Sequence, residues 1–173
     1  MSTRNKKIEN VLVLIKPDGI SRGLMGHVMA RFSQTGLNLI AVKFLKVSRQ
    51  LAQEHYRHIR GTPFYDQVIE YLVGKFHKQK NVLVLIYRGE KAIAVARELA
   101  GATNPEEAHP TSIRGSFGRI TTSGIFENVI HVSSDPKEAE REIKLWFEPQ
   151  EIDGELYPTQ EKILKSIQKY IWV

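Results

Sequence analysis

Two short apolar runs, NVLVLIK over residues 10–16 and VLVLIY over residues 82–87, set the tightest limit on what this chain can fold into. Each has the length of a strand and is apolar without interruption, the pattern of a strand covered on both faces. A sheet with helices packed against it is therefore required, and the remaining sequence supplies the pieces. Pro17, Asp18 and Gly19 break the first run as a turn. Residues 22–35 read as a helix with Leu24, Val28 and Phe32 on its apolar stripe and Gly36 just past its end. Residues 37–47 form a second strand. Ser48 caps a helix over residues 49–60, with Leu51, His55 and Ile59 on one side, and Gly61, Thr62 and Pro63 end it. A further helix covers residues 64–72, and a polar, lysine-containing connection follows over 73–81.

After the run at 82–87, a helix over residues 91–99 ends at Gly101 and at Asn104-Pro105. Residues 105–127 show little periodicity and many glycines, threonines and serines; a loop this long in a compact domain is usually functional or disordered. A fourth strand covers residues 129–133. The last strong helix, residues 136–147, opens with Asp135-Pro136-Lys137-Glu138, in which Asp135 caps, Pro136 takes the first helical position and Glu138 stands where a capping box wants it. Residues 148–159 form a loop and 160–173 a short helical tail.

This order contains β-α-β-β-α-β, so the fold class is α+β: a ferredoxin-like antiparallel sheet with added helices and a long loop before the fourth strand. One domain over residues 1–173 is expected, with 148–173 as an extension whose apolar end packs on its own or a neighbouring subunit. No apolar run approaches the ~20 residues needed to cross a bilayer, and no apolar signal segment follows the basic first residues, so cytoplasm is the default compartment. The absence of cysteine excludes disulfide and thiolate chemistry, and a net charge of +6 asks for an anionic partner.

The stretch 128–135 is where that partner would meet chemistry. His131 lies near the end of a strand that feeds a helix N-terminus, a natural place to meet phosphate, and neutral imidazole is a competent nucleophile. Ser133 follows on the same face. Lys16, ending the first strand, can act as a point charge for phosphate, and Arg114, between Ile113 and Gly115, can offer its planar fork to an anion. Arg97 and Thr103 stand near the end of the helix at 91–99. Tyr56 and Phe64 flank the break at 61–63; either is core or a surface on which a base stacks. Glu142 is within reach of His131 and could fix its tautomer, or it pairs with Arg141 or Lys144 on its own helix.

Taken in order, Lys16-Pro17-Asp18-Gly19, Arg22-Gly23, Glu54-His55-Tyr56, Pro63-Phe64, Gly101-Ala102-Thr103-Asn104-Pro105, Ile113-Arg114-Gly115, Asn128-Val129-Ile130-His131 and the string from Glu140 to Phe147 resemble the nucleoside diphosphate kinases over about residues 10–151. The resemblance implies a ping-pong transfer of γ-phosphate from a nucleoside triphosphate, typically ATP, to a diphosphate. His131 would be the nucleophile through Nδ1, oriented by Ser133 and Glu142. Lys16, Tyr56, Arg97, Thr103, Arg114 and Asn128 match positions that hold phosphates and ribose; Phe64, with Val68 nearby, matches the aromatic under the base. It further implies Mg²⁺ carried on the nucleotide phosphates rather than in a protein cage, and a homo-oligomer, hexamer or tetramer. The sequence offers no carboxylate cluster for such a cage.

Several positions depart from the family pattern. Val132 follows the histidine where Gly or Ala is usual, Ser134 and Asp135 exchange the usual order, Ser116 replaces an aspartate and Thr111 a glycine. Two segments are lengthened, about 76–80 and 121–124. These departures motivate an alternative, a catalytically weak relative that binds nucleotide or protein. A nucleic-acid-binding module fits the charge and the strand order, but its central strands would carry stacking aromatics. Here those strands carry only Tyr87, at the end of a run.

Overall fold

The computed structural model describes residues 7–161. Strands β1 (Ile8–Ile15), β2 (Asn38–Lys46), β3 (Asn81–Glu90) and β6 (Ile130–Val132) form one antiparallel sheet in the order β2-β3-β1-β6. Two short strands, β4 (Arg119–Ile120) and β5 (Phe126–Glu127), pair as a separate hairpin. Among the described residues seven α-helices accompany them: α1 (Pro17–Ser21), α2 (Met25–Ser33), α3 (Arg49–His55), α4 (Tyr65–Leu72), α5 (Ala92–Ala100), α6 (Ile113–Phe117) and α7 (Pro136–Trp146).

The apolar run in β1 is explained by two cores that share it. Val11, Val13 and Ile15 pack with Val28 and Phe32 of α2 and Ala96 of α5, while Leu12 and Leu14 face the opposite layer with Ala52, Ile69, Leu72 and Ile143. Residues 11–15 have no exposed surface at all; a side chain so buried contributes roughly 1.5–3 kcal/mol relative to exposure. In α7, Ala139, Ile143 and Trp146 recur at helical spacing as the buried stripe, Ala139 packing in the first core and Ile143 and Trp146 in the second.

The structure corrects several element boundaries. Pro17-Asp18-Gly19 is not a turn but the opening of α1, with Pro17 at the first helical position, where its missing N–H leaves no bond unmade. Gly23, at φ 69°, separates α1 from α2, so the second helix starts at Met25 rather than residue 22. Helix α3 stops at His55 and is followed by a 3₁₀ turn, Arg57–Ile59. Strand β3 runs on to Glu90 because β1 pairs with it as far back as Ile8, which leaves Lys91 outside α5 in a left-handed conformation. Asp135 does cap α7, accepting from Lys137 N and Glu138 N, but the Glu138 carboxylate turns to Arg141 instead of completing the capping box. The long loop contains α6, capped by Ser112, and the β4–β5 hairpin; elements of five and two residues are too short to show a period.

Beyond α7, Ile152, Leu156 and Tyr157 pack against the second core. The expected helical tail falls mostly on residues 162–173, outside the described residues. Among the described residues no helix is long and apolar enough to cross a membrane.

Candidate active site

The pairing of β1 with β6 sets the geometry. His131 lies opposite Leu14, and the backbone N–H of Lys16, just past β1, donates to Val129 O at 2.8 Å. Val129 adopts φ 67°, a left-handed conformation that costs of order 1–3 kcal/mol for a branched residue. Its N–H is held by Asp18 Oδ2 at 3.0 Å, and Asp18 is fully buried. Gly19 lets α1 come this close: a Cβ there would lie 3.0 Å from both Ile15 Cγ2 and Val129 Cγ1. Asp18 and Gly19, whose local composition reads as a turn, thus set the junction that carries the nucleophile candidate.

Around this junction opens a cavity of about 920 Å³. Lys16, Arg97, Thr103, Arg114, Asn128 and His131 supply the polar part of its lining. Tyr56, Ile59, Phe64 and Val68 supply much of the apolar part, together with Ile125 and Phe126 from the hairpin. Glu142 also reaches it. Of the candidate catalytic and nucleotide-binding residues only Ser133 is absent from the lining; it is fully buried behind Glu142.

His131 Nε2 lies 2.8 Å from Glu142 Oε1. An ionised carboxylate can only accept, so the ring proton sits on Nε2 and Nδ1 keeps its lone pair for the cavity. Burial alone would raise the Glu142 carboxyl. The facing His131, the hydrogen bonds from His131 and Ser133, and the charge of Arg141 outweigh it and hold the group below its ordinary range. Ser133 Oγ donates to Glu142 Oε2 at 2.6 Å and accepts from Leu12 N at 3.2 Å, so the serine fixes the carboxylate and touches His131 only through it.

His55 completes this cluster; it was legible as part of the string Glu54-His55-Tyr56 and on the apolar side of α3, but with no role at the site. It is fully buried, its ring centroid 4.4 Å from that of His131 in an edge-on arrangement. Its Nδ1 accepts from Trp146 Nε1 at 3.1 Å. Burial first, then the neighbouring His131 and Arg141, push its pKa well below the ordinary value, so it stays neutral. It forms a dry wall behind the candidate nucleophile. Arg141 anchors the same layer by donating to the carbonyls of Glu54 and His55 at 3.0 and 2.9 Å.

Among the described residues Lys16 and Arg114 have no carboxylate partner and are held by amide and carbonyl oxygens. Lys16 Nζ donates to Asn128 Oδ1 at 2.7 Å, and Asn128 Nδ2 donates to Thr103 O at 2.8 Å. Burial, then the nearby Arg114, push Lys16 down to about 8, with Asp18 opposing. Arg114 donates to Gly101 O and Ile130 O at 2.7 and 3.0 Å, while its Nε is buried with no partner. Burial lowers it to about 10, so it remains charged at neutral pH. Burial, reinforced by Glu142, raises the Tyr56 phenol above its usual range and keeps it a donor. Partly desolvated cations held on amide and carbonyl groups are suited to receive an anion.

The departures fall into two groups. Val132 and Ser134 line the cavity, and Ser134 Oγ donates to Asp135 Oδ2 at 2.6 Å. Ser116 and Thr111 lie away from it and tie the long loop to α2: Arg31 donates to Ser116 Oγ and to Thr111 O, each at 3.0 Å. His77, in the first lengthened segment, faces Glu127 of β5, just past the second, with Nδ1 3.9 Å from Oε1.

The family model described as nucleoside diphosphate kinase matches residues 9–152. The chain belongs to this family. It is a phosphotransferase that works between nucleotides. It is 43% identical over 148 residues to the nucleoside diphosphate kinase of Thermococcus kodakarensis, covering 86% of this chain and 82% of the relative. To that of Symbiobacterium thermophilum it is 38% identical over 165 residues, covering 95% and 98%. Among solved structures it resembles the Borrelia burgdorferi enzyme described as a transition state mimic with bound vanadate and ADP, with TM-score 0.76, 34% identity, and 87% and 93% of the two chains covered. It also resembles the Halobacterium salinarum enzyme in complex with CDP, with TM-score 0.77, 32% identity, and 87% and 95% covered.

Among the described residues one group of three potential metal ligands comes together, His55, His131 and Glu142. Two nitrogens and a carboxylate already bonded to one of them are a poor donor set for Mg²⁺, which takes oxygen ligands.

Proposed function

We propose that the chain transfers a γ-phosphate from a nucleoside triphosphate to a nucleoside diphosphate in two half-reactions through His131. The Nδ1 lone pair attacks the γ-phosphorus in line, the bond to the bridging oxygen breaks, and its electron pair leaves with the diphosphate. A second diphosphate then attacks the phosphohistidine with its terminal oxygen and the imidazole is restored. The observation that carries this reading is the Nε2 hydrogen bond of His131 to Glu142 at 2.8 Å, which leaves Nδ1 for the cavity that Lys16, Arg97 and Arg114 line.

In this reading Glu142 orients His131 and Ser133 steadies Glu142. Lys16, Arg97 and Arg114 take the phosphates; Tyr56, Thr103 and Asn128 bind phosphate or ribose and keep Lys16 in place; Phe64 and Val68 take the base. Loss of one cation removes about 3 kcal/mol of transition-state stabilisation, by analogy with a lost oxyanion donor. Mg²⁺ on the phosphates would neutralise charge on their oxygens, and Ser134 and Glu138, which line the cavity, are the groups its water shell would meet. A homo-oligomer accompanies the reading: Val42 and Phe44 are each 51% exposed on the edge strand β2, an apolar strip suited to a second copy. A cytoplasmic setting, where nucleoside triphosphates are abundant, is the companion expectation.

The test is incubation of the purified protein with γ-labelled ATP and Mg²⁺, beside His131→Ala. An acid-labile, base-stable label that requires His131 and passes to GDP is the expected result. Nucleotide binding without label would replace this reading with that of a binding subunit.

A further inference from the structure

The segment after α4 reads Lys75-Phe76-His77-Lys78-Gln79-Lys80 and contains one of the two stretches that lengthen this chain. Its burial runs against its composition. Phe76 is 42% exposed, whereas the side chain of His77 keeps only 10% of its surface in water. A polar ring turned in beside an apolar one left out needs a reason. The segment is folded to allow it. Gly74, at φ 79°, brings the chain back against Gln79 and Lys80, where a Cβ would overlap the Gln79 carbonyl, and Lys75 N donates to Glu70 O at 2.9 Å.

Turned inward, His77 meets two residues. Its ring stands edge-on to that of Tyr71, with centroids 5.2 Å apart and planes at 89°. Its Nδ1 faces Glu127 Oε1 at 3.9 Å, and that carboxylate is also paired with Arg119. Each of the two leads to Lys16. The Lys16 ammonium lies 5.6 Å from the Tyr71 ring centroid, within cation–π reach. Glu127 immediately precedes Asn128, whose Oδ1 takes the Lys16 hydrogen bond at 2.7 Å. Tyr71 lines the cavity and His77 does not, so His77 acts on the cation only through its neighbours.

We propose that His77 is a positioning residue for Lys16: its ring, held in place by Glu127, braces Tyr71 against the ammonium. This rests on Lys16 as a phosphate-binding cation. Burial is the main reason Lys16 is brought down to about 8, so a brace that keeps Tyr71 in place also keeps water from the ammonium. Lys16 is otherwise faced by Asp18 from α1 and Arg114 from α6, and both stay when residue 77 is changed.

The experiment measures binding of ADP, CDP and pyrophosphate from pH 7 to 10, for wild type, His77→Ala, His77→Gln and His77→Phe. In the wild type affinity falls above about pH 8. His77→Ala is expected to lose roughly two- to tenfold at pH 7, the size of one edge-on aromatic contact. The factor should be the same for all three ligands, because the loss concerns phosphate. Its fall with pH should begin higher, toward the ordinary lysine value of 10.5, once water reaches the ammonium. His77→Gln, which fills the space without an aromatic edge, should behave as alanine does and carries the test if alanine unfolds. His77→Phe keeps a ring against Tyr71 and should restore the pH break and most of the affinity; having no titrating group, it also excludes residue 77 as the source of the break.

Wild-type affinity with an unmoved break in His77→Ala and His77→Gln overturns the proposal. So does an equal loss at every pH with the break in place, the mark of a loosened loop, or a phenylalanine variant no better than alanine. ATP labelling of His131 in the wild type is measured alongside. Labelling with a break that ignores residue 77 rejects the brace alone, labelling with no break near pH 8 removes Lys16 from the phosphate site, and absent labelling rejects the transfer reading.

Discussion

Lys16 is the residue whose chemistry most directly couples to solution conditions. Burial and Arg114 bring it to about 8 in the free protein, so below that pH the ammonium is present and above it the neutral amine takes over. A polyanion binds the ammonium and draws the proton back. ADP affinity should therefore be flat in this group below pH 8 and weaken by up to about tenfold per pH unit above it. Calorimetric titrations from pH 7 to 9.5 would show this in wild type and its absence in Lys16→Gln; a wild-type affinity that ignores pH over that range would remove Lys16 from the phosphate site. Glu142 is tested differently. In Glu142→Gln the amide can donate to Nε2, which favours the tautomer with its proton on Nδ1. Single-turnover phosphorylation should slow roughly 10- to 100-fold, as when the hydrogen-bonded partner of a metal-ligating histidine is removed, while nucleotide affinity changes little. Most residues of this site could be read from the sequence because Lys16, Arg114 and His131 sit in short recognisable strings. His55 and Asp18 stand in such strings too, but what they do there could not be read. Their roles depend on bonds to Trp146, 91 residues away, and to Val129, 111 residues away, and nothing local signals such a partner.

At the scale of elements, the strands and long helices were legible because their burial is periodic: the run of β1 and the spacing of Ala139, Ile143 and Trp146 each report a covered face. α1 was hidden because proline, aspartate and glycine have the composition of a turn whichever way the backbone goes. Only the approach of Val129 shows why Gly19 is there. Gly19→Ala places a methyl group against Ile15 and Val129 and should destabilise the protein by about 1–3 kcal/mol, in the range of overpacking. Urea unfolding would measure it. A variant as stable as wild type would mean that α1 can shift without strain, and the Lys16–Val129 tie would then be looser than drawn. The hairpin escaped sequence reading for the opposite reason, since two paired residues on each side carry no period.

For the molecule as a whole, the sheet has an edge at β2 that presents Val42 and Phe44 to solvent. These residues share the face of Leu83 and Leu85 across the ladder, so they extend the first core to the edge of the sheet. Replacing both with lysine should reduce the sedimenting mass while leaving the monomer folded, because neither side chain is needed inside. An unchanged mass would place self-association on another surface. Composition and strand order identified the class of this molecule, but surfaces between copies are written in exposed residues, which no periodicity marks.

The bond from Lys16 to Val129 means that cation and nucleophile are spaced by two neighbouring strands and not by the chain that runs between them. At the hairpin tip Thr122 and Ser123 are exposed and outside the cavity lining, so residues added there leave that spacing alone, and doubling a flexible loop costs only about 0.6 kcal/mol. Such a position is a natural port, open to an epitope, a reporter or a new contact, in a molecule whose chemistry is anchored elsewhere.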